Sequence, residues 1–304
     1  MTTSIESEAL RDAFRSFAAR LADDPDTGLP ALRDMFDSLS YQQKEPPGVT
    51  YEEVALGTRS GLWVRPIDAE PDRVILYTHG GGYIAHTAST SRKLVGHLAK
   101  AAGATAFVPD YRIAPESPFP AQLEDAVAAY SFLLDQGFDA SRIAIAGESA
   151  GGNLAAGTVL RLGELGLPRP AALVGFSPWF DLLGELETFD SNASRDVFLS
   201  RDVSAMMAGM FLGEGVSAHA PLANPLHADL GGFPPTYLTA GSEETLLASV
   251  LAFAEKAEGV GVDVTTRIGD GMQHAFQWMA GRAPEADESI SACGAWIGQK
   301  LRAA

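Results

Sequence analysis

Apolar positions along this chain change period several times, and each change marks an element. Near the N-terminus Leu10, Phe14, Phe17, Ala18 and Leu21 recur at three- and four-residue spacing, one face of a helix. Residues 1 to about 45 read as helical, ending in the polar, proline-containing Tyr41–Gly48. Two extended runs follow, Val49–Leu56 and Leu62–Ile67, either side of a turn over Thr58–Gly61.

From there short apolar runs alternate with amphipathic ones. Arg73–Thr78, Thr105–Pro109, Arg142–Ala146, Ala171–Phe176, Thr236–Ala240 and Val262–Ile268 read as strands. Ser91–Ala102, Pro120–Gln136, Gly152–Leu165, Thr245–Ala257 and Ala286–Leu301 read as helices. This rhythm predicts an α/β fold, a mostly parallel sheet covered by helices on both faces. Between Phe176 and Thr236 the rhythm breaks. Met206, Met207, Met210 and Phe211 stand there at helical spacing, and a long insertion inside a compact domain is usually functional. A lid over the strand ends accounts for it.

The 304 residues, 46% hydrophobic and 20% charged, suit a single domain, 1–304. The net charge of −17 comes from 22 basic and 39 acidic residues, and no basic run exceeds Arg92-Lys93. Such a surface repels phosphate backbones, which excludes nucleic acid as a partner. No apolar run approaches the ~20 residues of a membrane span, and the first residues lack a signal peptide's basic and apolar regions. The lone Cys293 reads as a small buried residue, and a cytoplasmic location is expected. The sequon at Asn192 reads as accidental.

Two motifs bring chemistry. Gly147-Glu148-Ser149-Ala150-Gly151 is a GxSxG pentapeptide between a strand-like run and a helical one. This is the strand–turn–helix setting of a nucleophile elbow. His79-Gly80-Gly81-Gly82-Tyr83 directly follows the strand Arg73–Thr78. A glycine loop of this type offers backbone N–H groups to a developing oxyanion. The expected donors are Gly80, Gly81 and Ala150, with His79 anchoring the loop.

In this fold the acid and then the histidine follow the serine along the chain. Only His219, His227 and His274 lie after Ser149. The first two fall in or near the insertion, whereas His274 follows a strand through the turn Gly269-Asp270-Gly271. The acid belongs after Thr236–Ala240, where Glu243 and Glu244 compete. One orients the imidazole and the other suits a helix's first turn. Spacing leaves both open.

Taken together, HGGGY at 79–83, DYRIAPE at 110–116, GESAGGN at 147–153, SPWFDL at 177–182 and His274-Ala275-Phe276 resemble the hormone-sensitive-lipase-like, or bacterial family IV, esterases. Within that group the chain also resembles the branch that includes monoterpene lactone hydrolases. The resemblance implies an α/β-hydrolase fold with eight strands and a helical cap from about 1–45 and 183–224. It places the triad acid at Glu244, by spacing from Gly241 and to Leu246, where most members carry aspartate. Asp110, Arg112 and Glu116 match a motif that looks architectural.

The expected activity is hydrolysis of short- to medium-chain carboxylic esters through an acyl-enzyme, with Ser149, Glu244 and His274 as triad. Neither cofactor nor metal is required, and a homodimer is compatible with the sequence. Tyr83, Trp179, Met206, Met210 and Phe211 are the candidate apolar pocket walls. A lactonase or thioesterase would use the same triad. A peptidase or amidase is disfavoured, because the resemblance is to enzymes acting on esters. A non-catalytic ligand receptor on this fold is the alternative of another class; such receptors lose the histidine, and His274 is present.

Overall fold

The computed structural model describes residues 3–24 and 26–302. Two helices come first, α1 (Ile5–Asp23) and α2 (Leu29–Ser38). Leu10, Phe14 and Phe17 are buried as the periodicity implies, but Ala18 is exposed, because the inward stripe runs along 10, 14, 17 and 21. The Ser4 hydroxyl caps α1 by accepting from the Ser7 amide at 3.1 Å. That hydroxyl and the Ser4 amide both donate to Glu285, each at 2.7 Å, fastening the first turn to the last helix. Arg33 of α2 donates to the carbonyls of Ile84 (2.7 Å) and Ala114 (2.9 Å) and grips both oxygens of Glu116.

The strands are β1 (Val49–Leu56), β2 (Arg59–Pro66), β3 (Glu70–Thr78), β4 (Ala104–Pro109), β5 (Ile143–Glu148), β6 (Ala172–Phe176), β7 (Thr236–Gly241) and β8 (Val264–Gly269). The helices among them are α3 (Ala88–Ala102), α4 (Ala121–Asp135), α5 (Ala150–Glu164), α6 (Thr188–Ser191), α7 (Arg201–Leu212), α8 (Leu247–Gly259) and α9 (Pro284–Lys300). Strand order is β1-β2-β4-β3-β5-β6-β7-β8. β2 runs antiparallel to both neighbours and every other pairing is parallel. The β1–β2 turn is tighter than expected: Leu56 already pairs with Arg59, leaving Gly57 and Thr58 as the loop. Gly57, at φ 60, supplies the positive φ of a two-residue hairpin.

The alternation of the strands divides the core into two layers. Ile75 and Tyr77 of β3 and Ala144 and Ala146 of β5 face one layer with α3 and α9. Val74, Leu76, Ile143 and Ile145 face the other, with α4, α5 and α8. The parallel strands β3 to β8 bring their carboxyl ends to one edge, where open α/β sheets bind ligands. Cys293 is fully buried in α9, and burial pushes its thiol pKa up. Among the described residues, no helix is long and apolar enough to cross a membrane.

Candidate active site

Ser149 forms the turn between β5 and α5 at φ 55, ψ −124, a region that L-residues seldom occupy. Its amide donates to the Phe176 carbonyl and its carbonyl accepts from the Trp179 amide, both at 2.9 Å. Glycine is required around it: a Cβ on Gly151 would overlap the Thr78 carbonyl, and one on Gly147 the Gly151 carbonyl. Strand and helix approach too closely there for any side chain.

His274 sits beyond the end of β8 and Glu244 beyond the end of β7. His274 Nδ1 lies 3.0 Å from Glu244 Oε2, and the two side chains are 3% and 0% exposed. A carboxylate only accepts, so Nδ1 carries a hydrogen, which in a neutral imidazole leaves Nε2 as the acceptor. Glu244 Oε1 accepts the Ser177 hydroxyl at 2.6 Å and also the Gly241 amide. Ser177 Oγ in turn accepts from the Ala275 amide at 3.0 Å, so one hydroxyl stitches the acid loop to the histidine loop. Glu243 turns away, 3.7 Å from Arg195. Of the two glutamates that spacing could not separate, Glu244 meets the histidine.

The glycine loop departs from expectation at one residue. The Gly80 amide donates to Glu148 Oε1 at 2.8 Å, so it is not free for an oxyanion. The amides of Gly81, Gly82 and Ala150 have no acceptor among the described residues, and Gly81 and Gly82 border the same cavity as Ser149. Gly81 and Gly82, rather than Gly80, thus keep free amides beside Ser149. Burial of Glu148 pushes its pKa up to about 7. His79 anchors the loop as expected. Its Nδ1 donates to the Gly80 carbonyl at 2.9 Å, its ring stacks on Tyr111 at 4.1 Å, and burial lowers its pKa to about 4.

A family model described as alpha/beta hydrolase fold matches residues 75–278. An acetyl-hydrolase of Streptomyces hygroscopicus is 39% identical over 83% of each chain, and an esterase of Acinetobacter venetianus 32% identical over 86% of each. A crystal structure of an esterase from the bacterial hormone-sensitive lipase family superposes with a TM-score of 0.94, at 36% identity over 99% of this chain and 100% of that one. This chain belongs to that esterase family.

The cavity of this esterase corrects the expected pocket walls. Tyr83, Trp179, Met206, Met210 and Phe211 do not border it. Tyr83 and Phe211 stack on each other at 3.7 Å, and the Tyr83 hydroxyl donates to Asn153 at 2.7 Å. Trp179 Nε1 is spent on Asp181 and Ser204. On α7 it is Met207 that borders the cavity while Met206 is 40% exposed, because successive helical residues point about 100° apart. The other walls are Phe14, Phe36 and Leu39 from the N-terminal segment and Phe198, Leu199 and Trp278. The free space beside Ser149 is about 30 Å³.

Backbone strain marks the site. Among the described residues, the non-glycine positions of positive φ are Tyr83, His86, Ser149, Ser177 and Ala275. Tyr83 and His86 lie in and just after the glycine loop, Ser149 at the elbow, Ser177 directly after β6, where it bonds the acid, and Ala275 beside His274. No periodicity signals such strain, and Ser177 was legible only as part of a motif without a role. Asn192 is also explained: its buried amide donates to the carbonyls of Ser242 and Glu244 at 3.1 and 2.7 Å, so it does not serve as a surface sequon. The motif at 110–116 holds chain to chain. Asp110 accepts from Ala88 and Ser60, Arg112 pairs with Asp125, and Glu116 pairs with Arg33.

Proposed function

We propose that this esterase cleaves short- to medium-chain carboxylic esters with Ser149 as nucleophile, His274 as base and Glu244 as the acid that orients it. Ser149 Oγ attacks the ester carbonyl carbon as its proton passes to His274 Nε2. The amides of Gly81, Gly82 and Ala150 hold the oxyanion. The tetrahedral intermediate collapses, the C–O bond to the alcohol breaks, and His274 returns the proton to the leaving alkoxide. Water then repeats the sequence on the acyl-enzyme and frees the acid. Glu244 keeps the proton on Nδ1 and offsets the charge of the imidazolium.

The observation that carries this reading is the buried 3.0 Å pair of His274 and Glu244 in the loops beside a strained Ser149, with His274 and Ser149 bordering one cavity. The acetyl-hydrolase relative and the small apolar cavity both favour short acyl chains. Steady-state rates on p-nitrophenyl esters from acetate to palmitate, with lactones and thioesters alongside, test it. The expected result is the highest kcat/KM among the shorter oxygen esters. A maximum at palmitate, or a faster lactone or thioester, contradicts the proposed substrate class.

A further inference from the structure

Apart from Ser149, His274 and the glycine backbone, the cavity is walled mainly by hydrocarbon and aromatic rings. Besides the unpartnered indole N–H of Trp278, two titratable side chains interrupt it. Glu148 is already engaged by the Gly80 amide. The other is His86, which is 5% exposed.

The hydrogen bonding of His86 fixes its tautomer. Its Nε2 lies 3.1 Å from the Phe36 carbonyl oxygen, which can only accept, so Nε2 carries the hydrogen. Burial lowers the imidazole pKa to about 3, which keeps the ring neutral. Nδ1 is therefore a bare lone pair. It is buried and has no donor among the described residues, an arrangement that proteins seldom leave unsatisfied. The ring is also held in place. It packs against Trp278 with centroids 4.9 Å apart and edge-on to Phe36 at 5.8 Å. Its Cγ stands 3.0 Å from where a Cβ on Gly81 would be, so it adjoins the glycine loop that faces Ser149.

We propose that His86 is a specificity-determining residue whose Nδ1 accepts a hydrogen bond from a hydroxyl or amide N–H on the substrate, so that the enzyme favours carboxylic esters bearing such a donor. The inference rests on the esterase reading above and names the substrate class of the same site. A hydrocarbon group at this place leaves the acceptor unpaired; a hydroxyl of equal size pairs it. Discrimination arises from that difference.

The test compares esters in pairs that differ only by hydroxyl against methyl. Ethyl 2- and 3-hydroxybutyrate are set against their methyl-for-hydroxyl analogues, and 2-hydroxyethyl butyrate against propyl butyrate. Acid release is followed in a pH-stat. In the wild type at least one hydroxyl member is expected to exceed its partner in kcat/KM by about tenfold, a typical hydrogen-bond increment. His86→Phe keeps a ring and removes the acceptor, and the ratio should fall to near one. His86→Leu serves where the larger ring is not accommodated. His86→Asn should keep part of the preference, since its amide oxygen stands near the place of Nδ1 and asparagine tolerates the φ of 70 found there. Equal rates within every wild-type pair, or a preference that survives both acceptor-free variants, overturn the proposal alone. No turnover of either member of any pair overturns the esterase reading, and this proposal with it.

Discussion

Asp196 accepts two hydrogen bonds from Thr245, the residue after Glu244, through its amide at 2.8 Å and its hydroxyl at 2.9 Å. The other carboxylate oxygen of Asp196 accepts from the amides of Phe198 and Leu199, both at 2.9 Å. Phe198 then stacks on His274 with centroids 5.6 Å apart and planes 18° apart. One carboxylate thus ties the insertion to the loop of the acid and to the ring over the base. The insertion is a wall fused to the site, whereas α1 and α2 are held by the Glu285 and Arg33 contacts. Asp196→Ala removes four acceptor contacts at once. It is expected to destabilise the fold by roughly 2–4 kcal/mol and to lower kcat on p-nitrophenyl butyrate about tenfold. Urea unfolding and steady-state kinetics measure both. Wild-type values for each would show that the tie is dispensable.

The two glutamates give a sharper contrast. Glu244→Gln preserves shape but weakens the hold on the Nδ1 proton of His274, so kcat should fall on the order of 10²-fold or more. Glu243→Gln loses only a partly exposed ion pair with Arg195, and kcat should stay within about twofold. Kinetics on both purified variants decide it, with circular dichroism to confirm folding. A crippled Glu243 variant beside an active Glu244 variant would reverse the assignment.

The sheet was legible because buried parallel strands are short apolar runs and their helices carry one apolar stripe. The nucleophile turn was legible because glycines on both sides of Ser149 are forced by contact with Thr78 and Gly151. The proposed oxyanion donors were legible only as a glycine run. Losing Gly80 to Glu148 depends on a contact spanning 68 residues of sequence, which local pattern does not contain. The same holds for Asp196 and Ser177, whose partners lie 49 and 67 residues away. The pocket walls failed for a different reason. Spacing identifies the apolar face of α7 but not which edge of it is turned to Ser149, and a shift of one residue exchanges Met206 for Met207.

Glu148 makes stability depend on pH in a direction that can be stated. Its carboxyl, pushed by burial from 4.5 to about 7, holds its proton in the folded protein while the unfolded chain has already released it. Between about pH 4.5 and 7 the folded state binds more protons, so stability falls as pH rises and then levels off. The size is on the order of 3 kcal/mol. Glu148→Gln keeps an acceptor for the Gly80 amide and removes the titration. Denaturation midpoints of wild type and variant should therefore diverge across this window, the variant gaining as pH rises. Parallel curves from pH 4.5 to 8 would show that Glu148 ionises normally.

The central claim is that Ser149 forms the acyl-enzyme, and its most direct test is kcat of Ser149→Ala on p-nitrophenyl butyrate. The variant should retain wild-type circular dichroism, because no hydrogen bond in the described structure depends on the Ser149 hydroxyl. Its kcat is expected to fall by about 10⁴-fold or more, the loss typical of removing the nucleophile from such a triad. A folded Ser149→Ala protein that turns over within about tenfold of the wild type would contradict the mechanism.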